Sequence, residues 1–433
     1  MNIESVAVLG AGTMGSGIAA LCAEAGCPVT LLDVSRSAAE QAIGRMSEGR
    51  APMLSTPDKA ALITPGSFDD DLEAAARADW ICEAIVEDLD AKRSLFARLE
   101  TVRGEGSALS TNTSGIRLRS IIEGLPERLR RDVAVTHFFN PVKVMKLVEL
   151  VPGADTRPEV IEGLQQFLSG RLGKGVVHAK DTVNFIGNRI GCFWMLAGLH
   201  KAHHALAAGV SMEEIDALMT SVGIPSTGLY GLLDLVGLDV MDLVARNMAA
   251  NLPDGDAGLA FATLPPVEQA MVARGQLGRK TGGGFYRLQR HDDGSRTKEV
   301  FDLQRQEWRA AHAVELTPAH AEAATLVFGG DPQGRFVWDL MGATLCYAAE
   351  LIPEIADDVV NVDRAMRWGF NWKQGPFEML NALGPARVIA RLEADDEPLP
   401  KMLSVLRASG AKGFYGDDGT TFLGTDGAYH AVP

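Results

Sequence analysis

The stretch SVAVLGAGTMGSGIAALCAEAGCPVTLLDVS, residues 5–35, decides the fold. An apolar strand-like run at 5–9 leads directly into Gly10, Gly12 and Gly15, which have the spacing G-x-G-x-x-G. Glycines at this spacing allow a tight turn, close approach of the backbone to a pyrophosphate, and close packing of a helix on a strand. The sequence therefore predicts a dinucleotide-binding unit at its start.

The residues after the glycines support the same prediction. An alanine-rich helix pattern covers about 14–25, Gly26 stops it, and a second strand ends at Asp33. The N-terminus of such a helix offers free N–H groups and a partial positive charge to phosphates. A carboxylate at the end of the second strand accepts hydrogen bonds from both ribose hydroxyls and repels a 2′-phosphate. We therefore expect NAD rather than NADP as the cofactor.

The strand and helix patterns continue to alternate over about 180 residues, which predicts a doubly wound parallel sheet. Three further strand-like runs cover 78–88, 106–115 and 132–141. The clearest helix pattern between them is 89–102. Sheets of this class bind ligands at the carboxyl ends of their strands. The polar residues at those ends are Glu87, Ser114 and His137.

One apolar run contains two ionisable residues, His137 and Glu149, within VTHFFNPVKVMKLVEL, residues 135–150. Burying both costs several kcal/mol unless they satisfy each other. Antiparallel pairing of the two halves, centred near Lys143, would place them opposite each other, within reach of a hydrogen bond. The carboxylate would then fix the imidazole tautomer and stabilise an imidazolium. A satisfied core pair without chemistry is the alternative interpretation.

Composition restricts the possible classes of protein. The chain has 433 residues, enough for two or three domains. Its 41 basic and 56 acidic residues give a net charge of −15, which argues against a nucleic-acid or anionic-membrane binder. Five scattered cysteines without a CxxC pair indicate a reducing compartment. No secretion leader and no apolar run of about 18 residues is evident, so we expect a cytoplasmic protein.

Six motifs together resemble one family, the L-3-hydroxyacyl-CoA dehydrogenases of fatty-acid β-oxidation. In chain order they are LGAGTMGSGIA, EAIVEDLDAKRSLFARLE, STNTS, THFFNPVKVMKLVEL, DTVNFIGNRI and GRKTGGGFY. They fall within residues 5–286. The chain resembles in particular the dehydrogenase portion of bacterial bifunctional enzymes that also carry an enoyl-CoA hydratase. The resemblance implies an acyl-CoA substrate.

The resemblance also implies catalytic roles. His137, oriented by Glu149, takes the proton of the 3-hydroxyl while hydride passes from C3 to the nicotinamide. Ser114 hydrogen-bonds the 3-hydroxyl or the developing ketone; a serine that only caps the following helix is the alternative. Asn188 contacts the substrate or orients the histidine; a buried amide that satisfies backbone is the alternative.

The cofactor contacts carried over from the family motifs are Gly10, Gly12, Met14, Gly15, Asp33, Glu87, Lys92, Asn112, Asn140 and Lys280. Lys92 lies on the opening turn of a helix pattern, where an exposed lysine without a ligand is a common alternative. Neither composition nor spacing indicates a metal site.

Two departures from the family pattern leave other substrates open. Val183-Asn184 stands where the family has Pro-Gly, so we expect a rigid turn to be lost beside the substrate pocket. The segment 49–66 reads as a compact loop, which leaves Arg45, Arg50 and Lys59 as candidates for the CoA 3′-phosphate. A hydroxy acid without CoA, such as gulonate, and a non-enzymatic NAD-binding assembly subunit are the rival interpretations.

The second half of the chain contains a repeat. Residues 210–240 align with 360–387, and a shared period of this kind indicates duplication of one helical unit. The matched residues are Asp216, Gly228 and Gly237 in the first copy and Asp363, Gly375 and Gly384 in the second. Each copy ends in a glycine-aromatic turn, at 278–286 and 410–415. We expect strands to stop near residue 180 and 287–302 to be a polar linker.

The predicted fold class is α/β, with a Rossmann-like doubly wound sheet followed by two related all-α domains. The predicted domains are 1–180, which binds NAD, 181–290, the first helical copy, and 291–433, the linker and second copy. The second copy lacks a match to FIGNRI, so we expect it to be architectural. We expect it to occupy the surface used by a second subunit in single-copy relatives, giving a monomer with an internal pseudo-dimer. The glycine-rich tail either forms a short hairpin or frays.

Overall fold

The chain folds into two compact units in a computed structural model that describes residues 1–49 and 52–433. The first unit comprises Met1–Ile186 and Glu354–Ala356, and the second comprises Gly187–Pro353 and Asp357–Pro433. Residues 181–186 thus lie with the first unit, although the predicted boundary was at 180. The reason is local, because Ile186 donates its backbone N–H to the Glu149 carboxylate, 2.9 Å away.

The strands of the first unit are β1 (Val6–Leu9), β2 (Val29–Asp33), β3 (Ile63–Ser67), β4 (Trp80–Glu83), β5 (Ala108–Thr111), β6 (Val133–Phe138), β7 (Leu147–Pro152) and β8 (Gly175–His178). Its helices are α1 (Thr13–Glu24), α2 (Arg36–Met46), α3 (Pro57–Ala60), α4 (Leu72–Ala75), α5 (Leu89–Val102), α6 (Leu118–Ile122), α7 (Glu127–Arg130) and α8 (Pro158–Gln166), which continues as a π turn, Phe167–Arg171.

The eight strands form one sheet in the order β3-β2-β1-β4-β5-β6-β7-β8. Strands β1 to β6 run parallel, in the strand order of dinucleotide-binding folds. This confirms the predicted Rossmann-like sheet. Its parallel strands are flanked by helices, and apolar residues of β1, β2 and α1 form much of the buried core.

Strand β7 reverses direction and pairs antiparallel with β6. The register places His137 directly opposite Glu149. Because side chains alternate between the faces of a strand, this register puts both side chains on the same face of the sheet. The pairing predicted from the 135–150 run is therefore confirmed.

The segment 49–66 is more regular than predicted. Helix α3 and most of β3 lie within it, and β3 extends the parallel sheet beyond β2. The prediction of a loop over this whole segment is wrong, because edge pairing with β2 orders residues that look irregular in isolation. Arg50 lies outside the described residues.

The helices of the second unit are α9 (Gly187–Ala207), α10 (Met212–Ser221), α11 (Gly228–Val236), α12 (Leu238–Asn251), α13 (Pro266–Ala273), α14 (Pro318–Ala321), α15 (Ala323–Val327), α16 (Pro332–Val337), α17 (Ala343–Glu350), α18 (Val359–Gly369), α19 (Pro376–Leu383), α20 (Pro385–Ala394) and α21 (Lys401–Ser409). Shorter turns cover Ala257–Phe261, Arg279–Thr281 and Trp338–Gly342. Its strands are β9 (Tyr286–Arg290), β10 (Arg296–Asp302), β11 (Glu307–Ala310), β12 (Thr421–Leu423) and β13 (Tyr429–Ala431).

Strands do not stop near residue 180, so the predictions of purely helical domains and of a linker at 287–302 are wrong. Strands β9, β10 and β11 form a three-stranded antiparallel sheet. A boundary at 290 would separate β9 from β10, which are hydrogen-bonded to each other. The polar alternation that suggested a linker arises because one face of this small sheet is exposed. The C-terminal tail forms the β12–β13 hairpin.

The two matched segments of the second unit make equivalent hydrogen bonds. Asp216 accepts the backbone N–H of Tyr230 and the hydroxyl of Tyr286, at 2.7 and 2.9 Å. Asp363 accepts the backbone N–H of Phe377 and the hydroxyl of Tyr415, at 2.8 and 2.7 Å. In both segments a carboxylate thereby joins the start of the next helix to the glycine-aromatic turn.

The two segments also have glycines at equivalent positions, and each position requires glycine for a steric or conformational reason. A Cβ atom on Gly228 would overlap Asp216, and one on Gly375 would overlap Asp363. Gly237 and Gly384 both have positive φ, at 97° and 83°. They stand immediately before α12 and α20, so each allows the chain to turn sharply between two helices.

Candidate active site

The glycine turn leaves room for a ligand at the N-terminus of α1. Gly10 has φ 111°, and a Cβ atom there would lie 2.5 Å from the carbonyl oxygen of Ala84. A Cβ on Gly15 would overlap the Gly10 carbonyl. A Cβ on Gly12, in contrast, would meet no described protein atom within 4 Å. Gly12 therefore lines open space before the helix, and the turn fits a bound pyrophosphate.

Asp33 lies at the carboxyl end of β2, beside this turn. One carboxylate oxygen accepts the backbone N–H of Ala11 at 2.6 Å, and the other accepts that of Val34 at 2.7 Å. A carboxylate has about four acceptor positions, so capacity for ribose hydroxyls remains. Met14 lies in the first turn of α1 and is half-buried against the core.

Glu87 organises the loop that carries Ser114. One of its carboxylate oxygens accepts three hydrogen bonds, from the Thr113 hydroxyl at 2.6 Å and from the backbone N–H groups of Ser114 and Gly115 at 2.9 and 3.0 Å. Burial by itself raises the pKa of Glu87, but the Lys92 ammonium and these hydrogen bonds hold it below its ordinary value. Glu87 is therefore an anion that holds the loop in place.

The Ser114 hydroxyl is exposed and makes no hydrogen bond within the described part of the chain. It does not cap α6, whose first N–H groups, those of Leu118 and Arg119, donate to the Asp181 carboxylate instead. The capping role considered from sequence is therefore excluded. The Ser114 hydroxyl is available to a ligand.

Lys92 is buried rather than exposed, at 1% of its side-chain surface. Its ammonium lies 2.7 Å from Glu83 and 3.2 Å from Glu87. The alternative of an exposed helical lysine is therefore wrong. The two carboxylates carry more charge than the one ammonium, and a buried ammonium needs partners of opposite charge because it has lost its hydration. Lys92 thus joins α5 to the carboxyl end of β4 and to the loop that follows β4.

Glu83 was missed from sequence. It ends β4, is fully buried, and also accepts the Ile85 backbone N–H at 2.7 Å and the Thr111 hydroxyl at 2.5 Å. An acidic residue immediately after the apolar run WIC was the available signal. Only the folded sheet shows that Lys92 reaches it.

His137 and Glu149 form a short buried contact. The His137 Nδ1 atom lies 2.6 Å from a Glu149 carboxylate oxygen. The residues are 4% and 0% exposed. Because the carboxylate accepts, Nδ1 carries the proton in the neutral ring, and Nε2 retains its lone pair. The rings of Phe139 and Phe185 lie 4.6 and 5.7 Å from the imidazole, between ring centres.

Asn112 follows β5, and Asn140 follows β6, the strand that carries His137. The Asn112 side-chain oxygen accepts the backbone N–H of Phe138 at 2.9 Å, which ties the end of β5 to the end of β6. Asn140 is exposed and precedes Pro141 through a cis peptide bond. Both lie at the carboxyl edge of the sheet, where the sequence predicted ligand contacts.

The chain still turns at Val183-Asn184, where we expected a rigid turn to be lost. Asn184 has φ 63° and Phe185 has φ 49°, both in the left-handed region. Asparagine is among the few residues that enter this region readily. The expected loss of a turn is therefore wrong, and the turn places the Phe185 ring near the His137 ring.

Two of the remaining predicted residues belong to the second unit, and the described candidates for the CoA phosphate belong to the first. Asn188 is half-buried in the first turn of α9, and Lys280 pairs with Asp239 at 2.5 Å, both in the second unit. Of the CoA candidates, Arg45 is exposed and Lys59 donates to the Glu24 carbonyl at 2.8 Å. The roles of these residues toward a ligand stay predictions.

Two further findings concern the class of site. Within residues 1–49 and 52–433, no group of three or more His, Cys, Asp or Glu side chains could hold a metal ion. None of the helices in those ranges is long and apolar enough to cross a membrane.

Comparison with known proteins places the chain in a family. Residues 5–182 match the model of the 3-hydroxyacyl-CoA dehydrogenase NAD-binding domain, and residues 185–288 match that of the 3-hydroxyacyl-CoA dehydrogenase C-terminal domain. A Deinococcus radiodurans protein named "Probable 3-hydroxyacyl-CoA dehydrogenase" is 37% identical over 66% of this chain and 83% of its own length.

A Bacillus subtilis protein with the same name is 36% identical over the whole of this chain. The chain spans only 57% of the length of that relative. The crystal structure of 3-hydroxybutyryl-CoA dehydrogenase from Escherichia coli is similar with a TM-score of 0.69 and 28% identity, over 91% of this chain and 94% of that one. The chain belongs to the 3-hydroxyacyl-CoA dehydrogenase family, and its residues 5–182 form the NAD-binding domain of that family.

Proposed function

We propose that the chain oxidises L-3-hydroxyacyl-CoA to 3-oxoacyl-CoA with NAD as the hydride acceptor. The observation that carries this proposal is the His137–Glu149 contact of 2.6 Å. Strand β6, which bears His137, belongs to the same parallel sheet as β1, which leads into the glycine turn. A base and a dinucleotide turn on one sheet edge suit oxidation of an alcohol.

His137 serves as the general base in this proposal. The Glu149 carboxylate accepts a hydrogen bond from the protonated Nδ1 of His137. The Nε2 lone pair is therefore free, and it accepts the proton of the 3-hydroxyl as the C3–H bond breaks. NAD, when bound, accepts the hydride from C3. Loss of the hydroxyl proton and of the hydride together converts the alcohol to a ketone, and the imidazolium that forms lies against the Glu149 carboxylate. This counter-charge favours proton uptake in an otherwise apolar setting.

Ser114 and the network behind it complete the proposed chemistry. The Ser114 hydroxyl hydrogen-bonds the oxygen on C3, and Glu87 fixes the Ser114 loop through its N–H groups. Asp33 favours NAD over NADP because its carboxylate repels a 2′-phosphate. For Asn188, Asn140 and Lys280 we propose the ligand contacts that the family motifs imply.

Two observations bear on the substrate. The chain makes a left-handed turn at Asn184, so the expected loss of a turn no longer argues for a hydroxy acid without CoA. Escherichia coli 3-hydroxyadipyl-CoA dehydrogenase, which is 29% identical over 91% of this chain, is named for an acyl-CoA substrate. We therefore propose a CoA thioester of unspecified chain length as the substrate.

We further propose that the second unit contains two copies of one helical module and that the protein is a monomer. The equivalent hydrogen bonds of Asp216 and Asp363 and the matched glycines support the duplication. Helix α9 of the first copy packs against α16, α17 and α18 of the second. A module on the same chain has an effective concentration of about millimolar, so it outcompetes a module from another chain.

The reaction is tested by comparing acetoacetyl-CoA with free acetoacetate as oxidants of NADH. We expect turnover of the thioester to exceed that of the free acid by at least about tenfold in kcat/KM, equivalent to 1.4 kcal/mol. NADPH in a parallel assay should be used at least about tenfold less efficiently than NADH, because of Asp33. Preferential use of acetoacetate would replace the proposed substrate class, and binding of NADH with no turnover of either compound would refute the enzymatic role.

The general base is tested with His137→Gln, which removes the base but keeps a polar side chain of similar size. We expect kcat to fall at least about 10²-fold while NADH affinity barely changes. Glu149→Gln should lower kcat and shift the pH–rate profile to lower pH, because the imidazolium that forms on proton uptake loses its counter-charge. Normal turnover in His137→Gln would show that another group is the base, whatever the pH–rate profile of Glu149→Gln.

Oligomeric state is measured by light scattering on the full chain. We expect a mass near 46.2 kDa at micromolar concentration. Removal of residues 305–433 should expose the apolar surface of α9 and give dimers or insoluble protein. A stable dimer of the full chain that forms through the first copy is incompatible with the internal pairing.

A further inference from the structure

Helix α9 carries a buried arginine next to Asn188. Arg189 is fully buried, and its guanidinium forms an ion pair with Asp256, whose side chain is also buried. The Arg189 Nε atom donates to the hydroxyl oxygen of Tyr347, 2.6 Å away. Tyr347 belongs to α17, in the second helical copy, more than 150 residues further along the chain.

The Tyr347 hydroxyl connects both members of the ion pair. It accepts from Arg189 and donates to the Asp256 carboxylate, 2.8 Å away, so its donor and acceptor are both used. Asp256 in turn accepts the backbone N–H of Gly258 at 2.7 Å. Burial raises the pKa of Tyr347, so its hydroxyl remains protonated and able to donate. The ring also stacks on Phe193 of α9, with 4.1 Å between ring centres.

A second residue of the later segment fixes the same part of α9. A Cβ atom on Gly191 would overlap the ring of Phe370, which follows α18. The first turns of α9 are therefore held by Tyr347 and by Phe370, both from the second copy. Asn188 precedes Arg189 by one residue, so rotation or sliding of this turn would move the Asn188 amide.

We propose that Tyr347 is a positioning residue for Asn188, and that the second helical copy thereby acts on substrate binding and turnover. Tyr347 holds Arg189, Arg189 holds the first turn of α9, and that turn presents the Asn188 amide to the acyl-CoA. The inference rests on the proposed function for the role of Asn188. It differs from the expectation that the second copy is only architectural.

The test uses the full chain with Tyr347→Phe, which removes the hydroxyl and retains the ring that stacks on Phe193. The matched control is Tyr230→Phe, because the buried Tyr230 hydroxyl has no hydrogen-bond partner in the described structure. Active protein is counted for each variant by its stoichiometry of NADH binding. We expect kcat/KM for acetoacetyl-CoA, per active site, to fall about tenfold or more in Tyr347→Phe, since small misplacements at an active site have effects of this size.

The KM for NADH should remain within about twofold of the unmodified protein, because Tyr347 acts only through Asn188. Asp256→Asn should reproduce the defect, and combining it with Tyr347→Phe should add little, because both act through one cluster. The Tyr230→Phe control should match the unmodified protein. A Tyr347→Phe variant with a lower Tm but an unchanged kcat/KM per active site would overturn the proposal.

Amide hydrogen exchange provides a readout that does not depend on turnover. We expect exchange in the first turns of α9, residues 187–191, to accelerate at least about tenfold in Tyr347→Phe and not in Tyr230→Phe. Absence of turnover in the unmodified protein would refute the proposed function while leaving this measurement valid. Unchanged exchange together with unchanged kcat/KM would show that Tyr347 positions nothing.

Discussion

The buried contact between His137 and Glu149 is the interaction on which the rest of the site depends. A carboxylate with no exposure to water costs several kcal/mol unless hydrogen bonds replace its hydration. One Glu149 oxygen is satisfied by the imidazole and the other by the Ile186 N–H. Strand β7 must therefore run antiparallel to β6 in one register, since a slip of one residue would turn Glu149 to the opposite face of the sheet. The same requirement fixes the turn at Asn184 and Phe185, which brings the Ile186 N–H to the carboxylate.

The parts of the molecule that could be predicted from sequence are those with local signals. The glycine turn, α1, β2 and the helix at 89–102 follow from the spacing of residues that are close together in the sequence. The His137–Glu149 register follows from symmetry about Lys143, because only twelve residues separate the two. Local patterns also show the matched residues around Asp216 and Asp363, whose spacing is the same in both segments.

The features that sequence did not predict depend on the folded backbone, on burial, or on contacts that no local pattern indicates. Lys92 was predicted as a cofactor contact with an exposed helical lysine as the alternative, and its burial against Glu83 was not foreseen, because residue type does not show that both side chains turn into the protein. Strands β9 and β10 looked like a linker, because a small sheet with one exposed face is polar at alternate positions. Asn184 looked like the loss of a turn, because residue type alone does not reveal a left-handed backbone. The contact of Tyr347 with Arg189 joins residues more than 150 positions apart, and no local pattern indicates it.

The central claim is that Glu149 holds the neutral His137 ring as the Nδ1–H tautomer and so leaves Nε2 free to accept the substrate proton. Nitrogen-15 NMR of protein labelled at its nine histidines, with His137→Gln used to assign the resonance, measures this directly. At a pH above the His137 transition, the account predicts a protonated Nδ1 and an unprotonated Nε2 in the resting protein. A neutral ring protonated at Nε2 would contradict it, because that tautomer has no lone pair to offer the hydroxyl.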